Sequence, residues 1–151
     1  MNPNNAISTI MSTEIISVKP NTKLAEVEKK FKSYPIHHLP VVDENYTVVG
    51  IISKMDMLQI ARAIEHDASG KIYIDKVYNS WTAGRIMTPN PLFLDPDDSI
   101  GLVADIFLQN KFHAIPVVED GRLVGIVTSH DLLQYAYEKI TFPQIDNTLE
   151  S

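Results

Sequence analysis

Two short runs place a hydroxyl, two spacers and a carboxylate where an apolar strand should pass into a helix: Ser53-Lys54-Met55-Asp56 and Thr128-Ser129-His130-Asp131. A hydroxyl at the N-cap with an acid three residues on is a capping box, which satisfies two helix-start N–H groups. The same helix start also offers open N–H groups and positive potential, which suit a phosphate. A hydroxyl there can join in binding it, and an aspartate one turn away can accept from a pair of hydroxyls. Both readings rest on the same atoms. Histidines add a second chemistry. His37 and His113 each stand three residues before a proline, Pro40 or Pro116. A histidine near a strand is often packed or simply exposed, but it can also carry charge near neutral pH. His38 follows His37, whereas Ala114 follows His113, so the basic character is uneven. Lys54, Arg85, Arg122 and His130 are further donors, or otherwise solvated surface.

Catalytic chemistry has little support. His37-His38 with Asp43 or Asp56 are residue types that ligate metals. However, no HExxH motif, cysteine cluster or nucleophile–base arrangement accompanies them. Gly50 and Gly125 do not form a phosphate loop. The expectation is no catalytic residue, no metal site and no required cofactor.

These residues are positioned by a repeat. Displaced by 76 positions, Ile10-Met11 falls on Ile86-Met87, Phe31 on Phe107, His37 on His113 and Pro40-Val41-Val42 on Pro116-Val117-Val118. The register then drops to 75, with Gly50 on Gly125, Asp56 on Asp131 and Leu58 on Leu133. The first copy has one more residue in its turn. Such self-similarity is the mark of a repeated structural unit.

Each unit has one plan. A leading turn (Ala6 to Met11, or Thr82 to Met87) precedes a short extended segment at Ile15 to Val18 or Leu92 to Leu94. Leu24, Val27 and Phe31, like Ile100, Val103, Ile106 and Phe107, recur at helical spacing. A second strand runs Leu39 to Val42 or Ile115 to Val118, with a proline that suits a strand start or edge. Asp43-Glu44-Asn45 or Asp120-Gly121 turns the chain into a third strand, Val48 to Ile52 or Leu123 to Val127. A closing helix starts at Ser53 or Thr128. Lys71 to Tyr78 has no counterpart; packing on the body, an edge strand and mobility all remain open. The third strand is apolar throughout, so both its faces should be covered. Packing the two units sheet to sheet about a pseudo-two-fold axis does this, and leaves clefts beside the strand-to-helix junctions.

The 151 residues carry a net charge of −6 and 44% hydrophobic residues. The negative balance argues against nucleic acid, which is held by clustered positive charge. The absence of cysteine excludes disulfides and fits the cytoplasm. No signal peptide is legible, and no apolar stretch approaches the roughly 20 residues of a membrane span.

The ordered set, Ile-Met-(Ser/Thr), His-x-(Leu/Ile)-Pro-Val-Val and Gly-Ile-(Ile/Val)-(Ser/Thr)-x-x-Asp, occurs twice. It resembles a tandem pair of CBS domains, a Bateman module of the stand-alone bacterial or archaeal type. The resemblance implies an α+β fold of two β-α-β-β-α repeats packed sheet to sheet. It divides the chain into repeats at 5–67 and 82–140, a linker at 68–81 and a flexible tail at 141–151. It implies a non-catalytic regulatory module that binds AMP, ADP, ATP or S-adenosylmethionine between the repeats, forms a homodimer and signals to a partner protein. By this resemblance Ser53 and Thr128 meet phosphate, Asp56 and Asp131 meet ribose, and His37 and His113 reach the phosphates, with Lys54 and His130 as further donors. The segments holding Thr13 and Ile15, and Asn90 and Leu92, would line the adenine pockets; otherwise they are plain connections. The competing expectation is a ligand-free dimerisation module with degenerate clefts.

Overall fold

The computed structural model describes residues 2–67, 71–110 and 112–141. The elements follow in chain order. A 3-10 turn (Ile7–Thr9) precedes α1 (Leu24–Ser33), β1 (His38–Val42), β2 (Val48–Ser53), α2 (Lys54–Asp67) and α3 (Lys71–Ser80). The second half has α4 (Ala83–Ile86), β3 (Thr88–Pro89), α5 (Ile100–Gln109), β4 (Ala114–Glu119), β5 (Arg122–Thr128) and α6 (Ser129–Thr141). The architecture is the expected α+β pair of repeats, built on two small antiparallel sheets. The proposed tail from 142 onward and the helix stop at 68–70 lie outside the described residues.

Each repeat is centred on a hairpin. β1 pairs with β2 and β4 with β5, and both ladders slip at the matching place, between Val41 and Val42 and between Val117 and Val118. Asp120 and Gly121 both have positive φ (51° and 77°), the conformation a two-residue hairpin turn requires. The longer first turn uses the Asp43 carboxylate to accept from the N–H groups of Asn45 and Thr47. The segment expected as a first strand contributes one residue per repeat. Val18 bridges Val41 in parallel, and Leu94 bridges Val117. Pro40 and Pro116 explain the shortness. Their carbonyls accept from Val18 and Leu94 on that side, and a proline has no N–H to extend the ladder there.

The leading turns are exchanged. Ser12 bridges Ile126 of the second repeat, and β3 of the second repeat pairs with Gly50 and Ile51 of the first. Ile7, Ile10 and Met11 pack in the core of Leu94, Ile100, Val103, Ile115, Val117 and Val127. Ala83, Ile86 and Met87 pack in the core of Val18, Leu24, Val27, Leu39, Val41 and Ile52. Backbone bonds repeat the exchange. The Leu24 N–H donates to the Trp81 carbonyl and the Ile100 N–H to the Asn5 carbonyl, while Ala83 donates to Thr22 and Ile7 to Asp98. Thr82 occupies the N-cap of α4 without a side-chain cap bond. The exchange also explains two glycines. A Cβ at Gly50 would overlap the Met87 side chain, and one at Gly125 would overlap Met11. The matching Ile-Met and Gly-Ile motifs are thus the two sides of one contact, made twice.

Lys71 to Tyr78, left open from the sequence, belongs to helix α3, which packs on the first repeat. Val77 is buried with Val27 and Phe31, and Ile74, Tyr78 and Trp81 flank that core. Their spacing puts Ile74, Val77 and Tyr78 on one helical face, and the Trp81 N–H, just past the helix, donates to the Val77 carbonyl. Burial pushes the Tyr78 phenol up to about 12, and its hydrogen bond to the Glu28 side chain and the charges of Glu28 and Glu65 push the same way.

Candidate functional site

β2 ends at Ser53 and β5 at Thr128, and each strand feeds directly into a helix. Both junctions form the reciprocal capping box. The Ser53 N–H donates to Asp56 Oδ2 at 2.8 Å, and the Asp56 N–H donates to Ser53 Oγ at 3.0 Å. The Thr128 N–H donates to Asp131 Oδ2 at 2.8 Å, and the Asp131 N–H donates to Thr128 Oγ1 at 3.1 Å. The cap uses one carboxylate oxygen in each copy. Oδ1 of Asp56 and Oδ1 of Asp131 accept no hydrogen bond among the described residues.

Each junction opens into a cleft between the repeats. The first cleft, of about 510 Å³, takes Thr128, His130 and Asp131 from the second repeat and Ile15, His37 and His38 from the first. The second, of about 610 Å³, takes Ser53 and Asp56 from the first repeat and Asn90, Leu92 and His113 from the second. Such volumes are in the range of small-molecule sites. Asn90 has a φ of 48°, which asparagine tolerates better than most residues. Its N–H donates to the Val49 carbonyl, fixing the segment that borders the cleft.

Ten of the twelve residues that the resemblance assigns to the site line a cleft, and two do not. Thr13 lies between the lining residues Ser12 and Glu14, and Lys54 follows Ser53, but neither is on a wall. Arg85 stacks 3.9 Å from the centre of the Trp81 ring instead. Among the described lining residues neither cleft has a lysine or an arginine. His38 and His113 line both clefts. Burial pushes His38 below the usual imidazole range. Positive charge on His37 and His113 acts in the same direction, and Asp56 acts against it. Among the described residues no group of three or more His, Cys, Asp or Glu side chains is placed to hold a metal ion.

With this geometry, the comparison with known proteins is specific. The CBS domain profile matches twice, over residues 7–63 and 83–138. The chain belongs to the CBS-domain family. It is similar to the chloroplastic CBS domain-containing protein CBSX2 of Arabidopsis thaliana, 28% identical over 138 residues. That alignment covers 80% of this chain and 58% of CBSX2, so the chain spans little more than half of that relative. A 17.7 kDa protein of Acidianus ambivalens is 31% identical, over 83% of this chain and 70% of its own. Among solved structures, CBSX2 in complex with AMP superposes with a TM-score of 0.74 at 28% identity, covering 89% of this chain and 97% of that one. The CBS domain pair of protein MJ0100, in complex with 5′-methylthioadenosine and S-adenosyl-L-methionine, gives a TM-score of 0.73 at 30% identity and covers 91% and 99%.

The clefts also have wall residues that lie outside the motif positions. Pro35, Ile36 and Ser129 line the first cleft, and Met55 and Phe112 the second. Met55 and Phe112 are 59% and 40% exposed, so in sequence they look like scattered surface apolar residues. Their signal was adjacency: each lies within two residues of a motif position. Among the described residues no helix is long and apolar enough to cross a membrane.

Proposed function

We propose that this CBS pair is a non-catalytic regulatory module that binds an adenosine-containing ligand in the clefts between its repeats. The observation that carries this reading is the capped aspartate. Asp56 and Asp131 each hold their helix with one oxygen and leave the other without a hydrogen bond among the described residues, able to accept from hydroxyls beside the positive end of a helix. The AMP complex of CBSX2 and the adenosyl complexes of the MJ0100 pair support it. In this reading Ser53 and Thr128 help hold phosphate, Asp56 and Asp131 hold ribose, and the segments of Ile15 and of Asn90 and Leu92 hold the base. AMP, ADP and ATP are the first candidates and S-adenosylmethionine the next. Ligand acts by favouring one packing of the repeats over another, which a separate protein reads. We place the module in the cytoplasm, although its relative CBSX2 is chloroplastic.

The test is a calorimetric and thermal-shift panel of AMP, ADP, ATP, S-adenosylmethionine and cyclic dinucleotides on the folded protein. At least one adenosyl ligand should bind and stabilise, and Asp131→Ala should remove most of the shift. Silence across the panel sinks the proposal.

A homodimer is part of the reading, and it also carries the alternative of a module that only docks. Met55 and Leu58 on α2 and Leu133 and Tyr137 on α6 stand 46–68% exposed, and Leu58 and Leu133 are matching positions of the repeat. Sedimentation should give a dimer that Leu133→Asp dissociates. A dimer that binds nothing on the panel is the docking module.

A further inference from the structure

A phosphorylated nucleoside would bring negative charge into clefts that already hold carboxylates. The first has Glu14 on the leading segment and Asp131 on α6; the second has Asp56 on α2. The N-termini of α2 and α6 offer only partial positive charge. Among the described lining residues, the side chains able to carry a full positive charge are all histidines. His37 on the approach to β1 and His130 on α6 face the first cleft alone, while His38 on β1 and His113 before β4 face both. His38 stands opposite Ser53 in the β1–β2 ladder, at the end of the strand that leads to the cap of the second cleft.

We propose that His38, in a wall it forms with His113 between the two clefts, takes up a proton when a phosphorylated adenosine ligand binds, so that ligand charge, pH and the two clefts are linked. This rests on the reading of the clefts as adenosyl sites and assigns them a ligand class: the phosphorylated forms, bound best when the wall is charged. The sign follows from the surroundings. Without ligand, burial pushes His38 below the usual imidazole range, with His37 and His113 acting alongside and Asp56 opposing. A phosphate beside it favours the imidazolium, so the bound state holds more protons than the free state. Affinity therefore rises as pH falls through the window between the free and the bound value. Because His38 borders both clefts, a proton recruited by one ligand is already in place for the other.

The experiment is calorimetry of the full chain with AMP, and with adenosine as an uncharged control, in two buffers of different ionisation enthalpy. The phosphate of AMP, with a pKa of about 6, loses protons beside positive charge, so net uptake must come from the protein. Expected results are net uptake with AMP and none with adenosine. The AMP Kd should tighten about three- to tenfold between about pH 8 and about pH 6.5, since one linked proton gives at most about tenfold per pH unit. His38→Asn and His113→Asn should each reduce the uptake and flatten the profile, with His38→Gln as a second variant at that position. In Asp131→Asn and Asp56→Asn backgrounds, which leave one cleft each, the remaining site should still depend on His38. AMP binding without proton uptake, or uptake that survives both histidine substitutions, overturns the inference alone. Absence of binding by AMP, ADP and ATP alike, while S-adenosylmethionine binds, also overturns it alone; absence of binding by every adenosyl ligand overturns the underlying reading with it.

Discussion

The two clefts share a backbone and differ in their walls. Both have the hairpin end, the reciprocal cap and a helix N-terminus, with cap distances that agree within 0.1 Å. The first adds Glu14, His37 and His130, while the second adds Met55, Leu92 and Phe112 and relies on the two histidines it shares. The cap is dictated by the helix, which needs its first N–H groups satisfied in either copy. The walls carry no such demand, so they are free to diverge. Symmetry at the junction therefore gives two clefts on one plan, and the walls make them chemically different.

The sharpest way to break this comparison is to disable one cleft at a time. Asp131→Asn and Asp56→Asn each keep an oxygen for the cap and replace the other acceptor by an NH2. If both clefts bind, either substitution should leave a one-site calorimetric isotherm and weaken the altered site about 10- to 100-fold, since hydrogen bonds to charged groups are worth about 1.5–3 kcal/mol. Equal losses would argue that the walls contribute nothing.

The frame beneath the clefts should respond symmetrically. Gly50→Ala and Gly125→Ala push a methyl into Met87 and Met11. Each should cost about 1–3 kcal/mol by overpacking, read in denaturant unfolding. Shortening the facing methionine to alanine in the same chain should recover part of the loss. Effects of very different size would show that the two halves are packed to different tolerances.

Removing only the cap hydroxyl should be milder. Ser53→Ala and Thr128→Ala should each lower stability by about 0.5–2 kcal/mol, similarly in the two copies and without ligand.

The smallest effect is the acid response of the ligand-free protein. The folded value of His38 lies below its ordinary value, so the unfolded chain binds the proton more readily. Its contribution is present above the ordinary imidazole value of about 6.5 and is lost as pH falls through the folded value. Melting temperature should therefore decline more steeply below about pH 6.5 in the wild type than in His38→Asn.

Much of this arrangement was legible in the sequence because repetition exposed it. Matching Gly50 to Gly125 and Asp56 to Asp131 locates both junctions, and the caps follow from elementary helix chemistry. Other parts were not legible, for physical reasons. Self-similarity shows that Ile10-Met11 resembles Ile86-Met87, but not which core each enters, so the exchange of leading turns left no trace in the pattern. Ile15 to Val18 read as a strand because its residues suit one, yet Pro40 withholds the N–H that a longer ladder needs. Ile74, Val77, Tyr78 and Trp81 do carry helical spacing. Without a counterpart in the other repeat, that spacing had nothing to be checked against. Phe112 and Met55 were missed because an exposed apolar side chain says nothing of itself about a cleft.

The exchanged turns also govern how the molecule can come into being. The segment around Ile7 to Ser12 finds its partners at Ile100 and Ile126, more than 90 positions further along. During synthesis its partners emerge much later than the segment itself. Closing that long loop makes a high-contact-order step and predicts that assembly of both halves is cooperative and comparatively slow. A nick or deletion near Ile7 would therefore be felt first in the second half of the protein.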